Sequence, residues 1–279
     1  MTAISHNHAR DPHPHETESP ETQGEERRSP SGETVYHAVL QEGQEELDRS
    51  TSALVWSGLA AGLSMGFSLI SEGLLHSLLP DVSWAPLVSK LGYSVGFLIV
   101  ILGRQQLFTE NTLTPILPLL KFKKADVLLN VLRLWGSVLI ANLIGALLVS
   151  LVMAKTSVFT AEHKESFLTI GKHGLESSFL TVYLRGIFAG WLIALIVWLL
   201  PFAEAARFWV IIVITYIVGL AGFSHVVAGA VDVFFVAWSG QTSWTDALTF
   251  IAAALLGNIT GGVLLVAGLN HAQVVSGEE

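Results

Sequence analysis

The chain is 279 residues long, 51% hydrophobic and only 14% charged, with a mean hydropathy of +0.56. A soluble domain is close to a quarter charged, so this chain lacks the side chains to cover a water-facing surface, and the absence of cysteine excludes disulfide scaffolds, thiolate metal sites and thiol nucleophiles. The net charge of −8 is lopsided: residues 1–50 hold eleven of the 23 acidic side chains and four of the 15 basic ones, leaving the rest near neutral with no basic surface for nucleic acid.

Residues 1–33 contain too few large apolar side chains to offset the entropy of ordering them, which predicts a disordered acidic tail. Its His6, His8, His13 and His15 read as solvated low-complexity sequence rather than a metal site, and no metal or cofactor is expected. Arg27-Arg28 lacks the adjacent apolar run and cleavage site of an export signal. Over residues 34–50, Val35, Val39, Leu40 and Leu47 recur at near-helical spacing among acidic residues, which predicts an amphipathic surface helix against the membrane domain.

Residues 51–79, 126–154, 177–200 and 245–269 each supply the apolar run of about 20 residues that a spanning helix needs. Two further runs, 85–120 and 207–238, are too long for one plain span, and each is interrupted near its middle. The interruptions are Arg104 through Thr112 and Gly219 through His225. Irregular backbone at membrane depth must be buried in protein or line a cavity. The expected fold is therefore all-α: six transmembrane segments over residues 51–270, the second and fifth broken, and a short tail over 271–279.

The two halves echo each other. Gly58 through Gly62 resembles Gly186 through Gly190; Phe108-Thr109 is matched with Phe223-Ser224; Asn142 through Gly145 is matched with Asn258 through Gly261. A three-span repeat inserted upside down gives two inverted repeats in an aquaporin-like arrangement, with one pore per protomer and a transport site near the midplane. Lys121, Lys123, Lys124 and Arg207 place their loops on the inside and both termini in the cytoplasm. His225 is the sole histidine in the middle of an apolar segment. Histidine holds a proton near neutral pH, which suits the passage of a weak-acid anion that hydrocarbon would otherwise exclude.

The stretches GRQQLFTENT (103–112), GFSHVVAG (222–229) and GNITGG (257–262) together resemble the formate/nitrite transporter family, and RQQLFTENT in particular its YfdC-like branch, over roughly residues 51–270. The resemblance implies a homopentamer in the inner membrane whose protomers each pass small monovalent anions such as formate, nitrite or hydrosulfide. It implies that His225 faces a gate formed by Thr109 with Leu107 and Phe108, and that Tyr93, Phe97, Val218 and Ile193 form the constrictions. The sequence departs from the family where Ser224 replaces an acidic residue before the histidine, where Gly174 and Gly190 replace a lysine and an asparagine, and where Arg104 replaces a small residue.

Among the remaining polar groups, Arg104 and Glu110 read as an ion pair clamping the first break, while Arg185 lines the pore or pairs between protomers. Asn142, Asn258 and Asn111 read as hydrogen-bonding supports for the exposed backbone of the breaks. Three other readings stand beside the anion channel: a neutral-solute channel of the same architecture, a membrane sensor whose tail is the working part, and an intramembrane serine hydrolase. The last rests on Gly62-Leu63-Ser64-Met65-Gly66, whose glycines, with Gly58, also make a small-residue packing stripe.

Overall fold

The computed structural model describes residues 30–277. The expectations for the histidine-containing tail, for Arg27-Arg28 and for residues 278–279 lie outside the described residues. All regular structure among the described residues is helical.

The first helix, α1 (Gly32–Leu47), buries Tyr36, Val39, Leu40, Gly43 and Leu47 on one face. Its last carbonyls are held by Arg133, which donates to Leu47 O at 2.7 Å and Arg49 O at 2.9 Å. Among the described residues, five helical stretches are long and apolar enough to cross a membrane: Thr51–Leu78, Ala85–Leu102, Ala125–Lys155, Phe179–Phe202 and Trp244–Val274. The first is α2 (Thr51–Leu78); α3 (Ala85–Ser89) runs through a 3-10 turn into α4 (Tyr93–Leu102). After an irregular stretch come α5 (Ile116–Phe122) and α6 (Ala125–Lys155). Next are α7 (Ala161–Leu175) and α8 (Phe179–Leu199), then α9 (Arg207–Leu220) and α10 (Val226–Trp238). The chain closes with α11 (Trp244–Thr260), a π-helical stretch Gly261–Gly268, and α12 (Leu269–Gly277). Residues 271–277, expected as a tail, thus continue the helix, and Tyr36 Oη bonds His271 Nδ1 at 2.8 Å. Ser50, Thr160, Ser178 and Ser243 cap the N-termini of α2, α7, α8 and α11 through their side-chain oxygens.

Glycine sets the closest helix contacts. A side chain at Gly62 would collide with the backbone carbonyl of Asn142, and one at Gly190 with that of Asn258. Helices that touch through bare backbone gain dispersion contacts that lipid tails do not replace, so α2 lies against α6, and α8 against α11, at these glycines.

The chain is non-helical between α4 and α5 except for the turn Glu110–Thr112, and again between α9 and α10. Both interruptions are held by the same three hydrogen bonds. Asn142 Nδ2 donates to Gly58 O (2.7 Å) and Gln106 O (2.9 Å), while its Oδ1 accepts from Phe108 N–H (2.9 Å). Asn258 Nδ2 donates to Gly186 O (2.9 Å) and Ser224 O (2.8 Å), while its Oδ1 accepts from Val226 N–H (2.8 Å). This corrects the register read from sequence: Phe108 is equivalent to Val226, not to Phe223, and Leu107 is equivalent to His225. Matching Phe-Thr to Phe-Ser compares side chains, whereas the equivalence is set by which backbone N–H and C=O groups each asparagine must satisfy. In the same register Arg104 (φ +49°) answers to Gly222 (φ +64°), so both turns pass through a left-handed residue. Glycine, as at 222, is the residue such a turn favours.

Candidate permeation site

The two interruptions meet in the interior. Thr109 and His225, at 0% and 1% exposure, place Oγ1 and Nε2 2.7 Å apart. His225 is also the N-cap of α10: its Nδ1 accepts the Ala228 N–H at 3.1 Å. An acceptor Nδ1 carries no hydrogen, so the neutral ring bears its hydrogen on Nε2 and donates it to Thr109 Oγ1. The threonine hydroxyl hydrogen is then left to point elsewhere. Adding a second proton to the ring would remove the cap, a loss of ~1 kcal/mol, and would bury a cation with no carboxylate paired to it among the described residues.

Of the residues expected to constrict a pathway, the two aromatic ones line up on this contact. The Phe97 ring stands edge-on to His225 with centroids 4.9 Å apart, and Tyr93 lies 5.3 Å beyond Phe97 on the same helix. Val218 precedes Gly219, whose Cα packs on the Tyr93 ring. Leu107, Phe108, Val218 and Ile193 are each buried, and Phe108 leans edge-on against Trp135. One buried hydroxyl–imidazole pair thus sits against the Phe97 ring.

The first interruption is not clamped by the expected Arg104–Glu110 pair. Arg104 is exposed and in no ion pair among the described residues, and Glu110 Oε1 is buried without a hydrogen-bond partner. The carboxylate that holds this loop comes from α1, which sequence reasoning did not assign to the site. Glu46 Oε1 accepts from Gln106 Nε2 at 2.9 Å and its Oε2 from Thr114 Oγ1 at 2.8 Å. Asn111 completes the network, donating from Nδ2 to Gln106 Oε1 (2.8 Å) while its backbone oxygen accepts from Trp135 Nε1 (2.8 Å). A cavity of about 640 Å³ opens between α1 and this loop, bordered by Glu42, Glu46, Arg104, Gln105, Glu110 and Arg207. Partial burial, then the neighbouring Glu46 carboxylate, raises the Glu42 carboxyl above its ordinary range. Arg185 bonds Ser177 Oγ at 2.9 Å, just before α8, and is not among the residues meeting at the centre.

An all-helical chain with several apolar spans, broken twice around a buried polar contact, has the build of a membrane transport protein. The formate/nitrite transporter family model matches residues 33–272, and the chain belongs to that family. It is 38% identical over 252 residues to the inner membrane protein YfdC of Escherichia coli, covering 90% of this chain and 81% of YfdC. It shares the fold of an FNT family ion channel (TM-score 0.72, 18% identity, 87% of this chain and 98% of that one). The fold of a pentameric formate channel with formate bound is also similar (TM-score 0.67, 20% identity, 81% and 98%). The family is one of transporters and both structural neighbours are channels, so the protein is not an enzyme. Ser64 accordingly sits inside the continuous helix α2, without the strand–turn–helix elbow that would make it a nucleophile.

Proposed function

We propose that the protein conducts small monovalent anions of the formate, nitrite or hydrosulfide type across the inner membrane, through one pathway per protomer of a homopentamer. The chain reads as six segments in two inverted repeats, with the Phe179–Phe202 and Arg207–Trp238 segments answering to α2 and to the Ala85–Phe122 segment, and with both termini cytoplasmic. The observation carrying the proposal is the Thr109–His225 contact at 2.7 Å, where two asparagine-clamped interruptions converge between apolar residues.

An anion meets a hydroxyl there. His225 supplies a hydrogen to Thr109 Oγ1, which orients the threonine to donate its own hydrogen toward a solute passing Phe97 and Leu107. The start of α10 adds the partial positive charge of a helix N-terminus at the same point. Hydrogen-bond donation in a water-excluded constriction stabilises an anion that apolar walls alone would exclude. Tyr93, Phe97, Val218 and Ile193 strip its water on either side.

Reconstitution tests the reading. Liposomes containing the full chain should take up formate or nitrite faster than protein-free liposomes between about pH 5 and pH 8, with His225→Ala abolishing the difference. Swelling in glycerol without anion uptake would instead indicate a neutral-solute channel.

A further inference from the structure

The helix that His225 caps carries one further group toward the interior. From Val226 to Ala237 every residue of α10 is buried except Asp232, which keeps partial accessibility. Asp232 follows His225 by seven residues and so lies about two turns along on the same face. This helix packs against α2, α6, α7 and α11, so the surface that Asp232 keeps accessible lies among those helices.

The Asp232 carboxyl makes no hydrogen bond or ion pair among the described residues. Its charged neighbours are Glu72 of α2 and Lys90 at the head of α4, which are bonded to each other. Tyr93 lies within electrostatic reach of both carboxyls, while His76 of α2 and His173 of α7 face Glu72. Lys172 of α7 bonds Gln241. The charged residues of α6 and α11 are engaged or terminal: Arg133 holds Leu47 and Arg49, and Asp126, Lys155 and Asp246 sit in end turns. Asp232, Glu72 and Lys90 therefore cluster beside Tyr93, which the anion reading places in the pathway one turn before the Phe97–His225 contact.

We propose that Asp232 is the proton-exchanging station of this pathway and determines which species passes it. The inference rests on the anion reading above. Ionised, the Asp232 carboxylate repels an anion from a lumen whose ammonium group, Lys90, is already paired. Protonated, it donates a hydrogen bond to the anion and then the proton itself: the O–H bond of Asp232 breaks, an O–H bond forms on the anion, and the neutral acid moves on past Phe97. Asp232 then regains a proton from the solution on its own side. His225, whose Nδ1 is committed to the Ala228 cap, orients Thr109 instead of supplying the proton.

The test measures formate uptake by liposomes holding the full-length protein across about pH 5 to pH 8, with an internal pH dye reporting proton entry and protein-free liposomes subtracted. Wild-type uptake should rise as the pH on the Asp232 side falls, one proton entering per formate. Asp232→Asn should lose that pH dependence and lower acid-side uptake by about tenfold or more, whereas Asp232→Glu should keep the slope. A wild-type slope in Asp232→Asn overturns the inference. Should Asp232→Asn fail to fold, Lys90→Gln decides: removing the ammonium group beside Asp232 should shift the midpoint of the uptake profile along the pH axis. An unmoved midpoint overturns the inference. Wild-type protein that carries no formate at any pH overturns the underlying anion reading instead.

Discussion

His225 does two separable things, and substitution can pull them apart. Asparagine is as good an N-cap as any residue but is too short to keep the bond to Thr109. His225→Asn should therefore cost less thermal stability than His225→Ala while lowering anion flux as far as His225→Ala does. Melting curves in detergent beside liposome flux check both halves of the expectation. The asparagines behave in the opposite way. Each satisfies three backbone groups at membrane depth, where water cannot substitute. Asn142→Ala or Asn258→Ala should cost on the order of 2–4 kcal/mol, read as a lowered melting temperature and reduced recovery from membranes.

At the scale of the element, α1 is a strut rather than a decoration, because Glu46 ties it to Gln106 and Thr114. Glu46→Ala should raise amide exchange across residues 106–114 without unfolding the spans. The neighbouring Glu42 gives α1 a pH dependence whose sign is fixed. Its carboxyl is raised in the folded state, so the fold binds that proton more tightly than the unfolded chain does. The associated stability is present at low pH and is lost as pH rises from the ordinary carboxylate range through the raised value. Amide exchange over residues 32–47 should accelerate on that rise, and Glu42→Gln should flatten the response. None of this was legible in the sequence. Arg104 and Glu110 looked like partners because they are close in the chain, while the carboxylate that binds the loop lies 60 residues from Gln106 on a helix that amphipathicity places outside the bilayer. The asparagines stood out because an uncharged amide within an apolar run has little to do except hydrogen-bond backbone. The interruptions themselves were visible as polar and small residues where lipid tolerates neither.

For the molecule as a whole, large apolar side chains remain exposed along the spans, among them Trp56, Leu129, Leu180, Phe188 and Leu264. In the proposed homopentamer lipid and neighbouring protomers share that surface, and native mass spectrometry of detergent-released protein should find five copies of the 30.1 kDa chain. The equivalence of Leu107 and His225 also has a directional consequence. Two matching clamps hold unlike side chains, an aliphatic one and an imidazole, so on the proposed pathway a solute encounters its chemistry in a different sequence from each side of the bilayer. Equal concentrations must still give zero net movement, yet half-saturation measured under zero-trans conditions should differ between the two faces. A conduit assembled from look-alike halves is in this sense handed.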